Sequence, residues 1–142
     1  MKAFFVPAAL LLFASAAIAQ ETFPNAKLNL QVGEKKKEID ASLKYSPDSL
    51  LILDKKTEQP VKTFSYQAIK NAEYSYSKSP RWKSAIFVSP LFLFTSGKKH
   101  WFMVQTDGDY AVMQLDKTNY KLILAAFESK SGKKVDIVED SK

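Results

Sequence analysis

The sequence predicts a mainly β domain closed by one C-terminal α-helix. Three observations lead there. From Ile39 onward, apolar and polar residues alternate with a period of two, as in strands with one buried face. These runs are separated by turn signals such as "SPDS", "DKKTEQP" and Asp107-Gly108. After Leu115 the apolar period becomes that of a helix, and it does so once. Several strands followed by one helix make a β core with a helical cap, not an alternating α/β sheet.

The first residues stand apart from this core. In "MKAFFVPAALLLFASAAIAQ", Lys2 precedes an apolar stretch from Ala3 to Ala14, and Ala17 and Ala19 occupy small-x-small positions before Gln20. Residues 1–19 therefore read as a secretory signal peptide. As an anchor, the apolar run falls short of the ~20 residues that a spanning helix needs. Cleavage after Ala19 leaves about 120 residues, the size of a single domain. The expected location is the periplasm or the cell exterior. The chain has no cysteine, which excludes disulfide scaffolds, thiolate zinc sites and thiol lipidation of a new N-terminus. A net charge of +6 suits an anionic partner, or simply a solvated surface.

Residues 20–38 read as a polar N-terminal arm ending in the charge run "EKKKE", with one domain over 39–142. Ile39, Ala41, Leu43 and Tyr45 alternate with Asp40, Ser42 and Lys44, giving a first strand. Pro47 and Asp48 turn the chain into "LLIL", a short buried strand. "VKTFSY" and "AEYSYS" follow as two more strands, with Tyr74 and Tyr76 on one face. "HWFMVQTDGDYAVMQL" reads as a hairpin, its Asp107-Gly108 pair fitting a type I′ turn with positive φ. Tyr120, Ile123, Leu124 and Phe127 then share one helix face. Asp116 is the expected N-cap, Gly132 the C-cap, and Lys130, Lys133 and Lys134 favour the negative end of the helix dipole. "VDIV" adds a short last strand.

The most unusual stretch is "RWKSAIFVSPLFLFTSGKKHW", an apolar insertion at about 81–99. Two apolar clusters are split by Ser89-Pro90, and Pro90 argues against one continuous central strand. Either the clusters pack on the β core, or they project as a finger toward a membrane. Packing is favoured, because monomers seldom expose so large an apolar patch. The candidate contacts for a ligand or membrane are Arg81, Trp82, Lys83, Phe92, Phe94, Lys98, Lys99 and His100. Lysines and aromatic rings together suit an anionic headgroup surface. The same mixture suits single-stranded nucleic acid, which an exported protein is not expected to meet.

Catalytic signatures are scarce. His100 is the single histidine, so a small hydrolase using it is the enzymatic alternative. No second ligand type clusters beside it, and a polar residue at a strand edge explains it as well. Asp107 and Asp109 lack the further spaced oxygens of a calcium loop and fit turn chemistry. There is no Gly-x-Ser-x-Gly elbow, and four glycines leave no phosphate-cradling loop. No cofactor or metal is expected.

The run "VSPLFLF...KKHWFMVQ...AVMQLDKTNYKLILAAFESKSGKKV" resembles small exported bacterial proteins with a pleckstrin-homology-like, or GRAM-like, domain. The resemblance covers about Ile39 to Val138 and is densest from Ile86 to Val135. It implies a small bent antiparallel barrel with the C-terminal helix plugging one end. It also implies a binding scaffold for a protein, peptide or lipid rather than an enzyme. Phosphoinositide-binding members carry basic residues at the first hairpin loop. The loop read as first here is "YSPDS", acidic at Asp48, so the resemblance does not extend to that ligand.

Overall fold

The segment expected to be a solvated arm is a central strand. The computed structural model of the chain describes residues 21–32, 35–78 and 97–138. The signal peptide, both apolar clusters, and Arg81, Trp82, Lys83, Phe92 and Phe94 lie outside the described residues. Strand β1 spans Glu21–Val32 and pairs with β2 (Lys35–Tyr45) on one side and β7 (Tyr110–Leu115) on the other. Its alternation is real but short. Ala26 and Leu28 are buried and Leu30 packs on the core, while Lys27 is exposed between them. Pro24-Asn25 interrupts the pattern, and a register shift between Phe23 and Ala26 absorbs the break, with Asn25 at φ 68°. β2 in turn begins four residues before Ile39, inside the lysine run.

The strand count therefore shifts by one. The first hairpin joins β1 to β2 within "VGEKKKE", and "SPDS" belongs to the second, between β2 and β3 (Ser49–Asp54). The acidic loop that argued against a phosphoinositide is not the first hairpin, and that argument lapses.

The remaining elements are β4 (Pro60–Ser65), β5 (Asn71–Ser77), β6 (Lys99–Gln105), the helix α1 (Tyr120–Ser131) and β8 (Asp136–Ile137). The strands form one sheet in the order β4-β3-β2-β1-β7-β6-β5-β8. Neighbours are antiparallel, except that β8 runs parallel to β5. Lys62 ties the β4 edge to the β6–β7 turn, with its Nζ 2.6 Å from Asp109 Oδ1 and donating to the Tyr110 carbonyl at 2.9 Å. That turn is a four-residue loop, not a type I′ pair. Neither Asp107 nor Gly108 has positive φ, and the Thr106 N–H donates to the Asp109 carbonyl at 2.8 Å.

Helix α1 closes the inner face as its periodicity requires. Ile123, Ala126 and Phe127 are buried, and Tyr120 and Leu124 pack partly against the core. The Phe127 ring meets Phe102 edge-on at 5.5 Å, and the Tyr45 hydroxyl donates to the Ile123 carbonyl at 3.0 Å. Burying a ring of this size contributes about 1.5–3 kcal/mol. Gly132 is the left-handed C-cap at φ 74°, as expected. The N-cap is Asn119 rather than Asp116. Asp116 instead organises the preceding turn: its carboxylate accepts from the Thr118 N–H and hydroxyl, and its carbonyl from the Asn119 and Tyr120 N–H groups.

The sheet is also buried on its other face. Trp101 and Met103 alternate with the core residues Phe102 and Val104, yet all four are fully buried. Cross-strand register aligns Glu73, Met103, Val112 and Asn29 in one buried row. The Trp101 indole N–H donates to the Ser77 carbonyl at 2.9 Å. Both side-chain amide atoms of Asn29 are buried with no hydrogen-bond partner.

Candidate functional site

Of the eight sequence-derived candidates, three fall within the described residues: Lys98, Lys99 and His100. They sit together where β6 begins. Antiparallel register places His100 opposite Tyr76 on β5 and opposite Leu115 on β7. The chain then turns through Asp116 and Lys117 into α1, which brings Tyr120 onto the same spot.

Four rings meet there. The His100 imidazole lies between Tyr120, at 3.9 Å and 16°, and Tyr76, at 4.6 Å and 25°. The Tyr74 hydroxyl is 2.6 Å from His100 Nδ1. Lys98 Nζ lies 5.6 Å from the Tyr76 ring centre, and Lys121 Nζ lies 6.0 Å from that of Tyr120. A lysine thus ends the stack on each side, by cation–π attraction.

Burial shapes the electrostatics. Desolvation holds the His100 imidazole below its ordinary value of 6.5, against the opposing pull of Asp116. Burial, followed by the charge of Tyr120, pushes the Tyr74 phenol well above its usual range. Asp116 is held low by the Thr118 hydroxyl first and the Thr118 N–H second. At neutral pH the His100 imidazole is therefore held uncharged, with lysines around it.

Beside the stack is a cavity of about 290 Å³, lined by Tyr76, Lys98, Lys99, His100, Leu115, Asp116 and Lys117. Three lysines face one carboxylate. Two further cavities differ in sign: one of about 260 Å³ sets Lys37 and Lys56 against Glu38, Asp40 and Asp54, and one of about 230 Å³ sets Lys27 and Lys55 against Asp40 and Asp116. The first of these linings carries a net charge of −1 and the second is balanced, so of the three cavities the one at His100 has a net positive lining.

Sequence reasoning missed Asp116, Lys117 and Tyr120 as members of this site. Nothing local marks them, since they join His100 through the β6–β7 register and the helix start. Tyr76 was legible as the partner of Tyr74 on one strand face. The aspartates of the β6–β7 turn are structural: Asp109 pairs with Lys62 and Asp107 lies 3.5 Å from Lys70.

Among solved structures, the chain is similar to one in the Spt16D Pob3N heterodimer, at a TM-score of 0.50 and 12% identity, over 87% of this chain. The fold is PH-like. The chain spans 56% of the length of that match. It is also similar to the hSac2 domain from human phosphoinositide phosphatase Sac2, at a TM-score of 0.48 and 10% identity, over 94% of this chain and 89% of the other. No family model matches the sequence, and no curated protein matches it. At 12% identity the first likeness shows the fold alone.

Proposed function

We propose that the protein is a non-enzymatic binding module acting outside the cytoplasm, and that its partner presents negative charge to the corner where β5, the start of β6 and the turn into α1 meet. The observation that carries this reading is the cavity at which Lys98, Lys99 and Lys117 surround the half-exposed Tyr76 and the partly buried His100. Lysines beside an aromatic face suit an anionic surface, whose attraction is worth about 1 kcal/mol per lysine near acidic lipid. The signal-peptide pattern of residues 1–19 supports export.

A hydrolytic role for His100 is less well supported. Both faces of its ring are stacked and Nδ1 is engaged by a tyrosine rather than a carboxylate. A general base oriented for catalysis usually has an acidic partner at that nitrogen.

The test has two arms, vesicles of phosphatidylglycerol in phosphatidylcholine and a glutamate-rich peptide. Binding to at least one is expected. It should weaken with salt and be lost when Lys98, Lys99 and Lys117 are all changed to Gln. Binding to neither, or binding indifferent to the triple change, contradicts the reading.

A further inference from the structure

The walls of the His100 cavity specify more than positive charge. Asp116, its one acid, already accepts two hydrogen bonds from Thr118. Among the described residues, Lys99 and Lys117 form no ion pair. His100 cannot turn its ring without breaking two stacks, and its Nδ1 is held by Tyr74. Nε2 is the nitrogen left to serve a ligand.

Deepening the binding reading above, on which it rests, we propose that this cavity holds one tetrahedral oxyanion, a sulfate or phosphate group, between Lys99, Lys117 and Nε2 of His100, and that His100 takes up a proton when the anion binds. The volume of about 290 Å³ accommodates such a group together with water. Charge-assisted bonds from ammonium and imidazolium to an oxyanion are the strong class of hydrogen bond.

The proton uptake follows from the groups facing His100. β5 supplies the phenols of Tyr74 and Tyr76, the former pushed well above its usual range by burial. β6 supplies Lys99, and the residue before it is Lys98. The turn supplies Asp116 and Lys117, and α1 supplies Tyr120 with Lys121 beyond it. Asp116 favours the imidazolium, while burial opposes it and prevails. An oxyanion against Nε2 reverses that balance. The free protein carries neutral His100 at pH 7, and the bound form carries it charged at higher pH. Affinity therefore rises as pH falls toward the free midpoint.

The chain has one histidine, so a single imidazole NMR signal reports the event. Sodium sulfate is the probe, at ionic strength held constant with chloride, because its charge does not change between pH 5 and 8. Saturating sulfate is expected to raise the His100 midpoint by about one pH unit, equivalent to about tenfold tighter binding at the acid end. Changing Lys99 and Lys117 together to Gln should abolish the shift, with the imidazole signal still in its folded position. Repeating the titration with phosphatidylglycerol vesicles separates the sources. The same His100 shift assigns a lipid headgroup, and a shift with sulfate alone assigns a free oxyanion. A midpoint unmoved by both probes, or a shift that survives the double change, overturns the proposal. Vesicle binding without any His100 shift would overturn it too, while leaving the wider binding role intact.

Discussion

Two neighbouring stretches of β6 meet the helix through different chemistry. At the middle of β6, Phe102 packs with Phe127 and Ile123 of the helix as an apolar plug. At the start of β6, Tyr76, His100 and Tyr120 stack with lysines at both ends and a cavity alongside. The plug has no polar group to satisfy beyond the Tyr45 bond to the Ile123 carbonyl. The stack has polar edges throughout, and its imidazole is held neutral by burial. Packing of the first kind stabilises the fold. An arrangement of the second kind gives up some stability for a charged, partly open surface, as binding sites do.

Breaking the plug should have the largest effect. Phe127→Ala removes a fully buried ring and is expected to destabilise the protein by about 3–5 kcal/mol in a urea melt. His100→Ala removes two stacking contacts from a partly buried site, and about 1–3 kcal/mol is expected. A loss as large as that of Phe127→Ala would make the stack part of the core and erase the contrast.

The legibility of the two regions differs for the same reason. Tyr120, Ile123, Leu124 and Phe127 lie within eight residues of one another, so a helical period reveals the plug directly. The stack draws its rings from β5, β6 and α1, and only strand register unites them. β1 was hidden because Pro24-Asn25 cuts its alternation to Ala26, Leu28 and Leu30, and because "EKKKE" masks the start of β2. The Asp107-Gly108 turn was found in the right place with the wrong geometry. Lys62 anchors Asp109 from β4, a contact that no local turn signal carries.

Acid should separate the regions further. The folded state holds His100 below its ordinary value of 6.5, so the unfolded chain binds more protons there as pH falls. The stabilisation from neutral His100 is present above about 6.5 and lost as pH drops through the folded midpoint. The urea midpoint is expected to fall between pH 7.5 and 5.5. His100→Gln should flatten that slope, while Phe127→Leu should leave it in place.

A smaller change sharpens the view of the sheet's outer face. Asn29 has its amide buried without a partner. Asn29→Leu should raise stability by about 1 kcal/mol, because it removes a desolvated polar group from a central strand. The smallest effect belongs to Lys121→Ala on the exposed helix face, under about 0.5 kcal/mol.

The central claim is that the lysine-flanked stack, not another basic region, meets the ligand. The most direct measurement is a backbone amide NMR map recorded while the protein is titrated with the anionic probe that binds. The perturbations are expected to cluster at Tyr76, Lys98, Lys99, His100 and Lys117 and to spare β2. A map centred on Lys35, Lys36 and Lys37 at the first hairpin, with the His100 corner silent, would contradict the account.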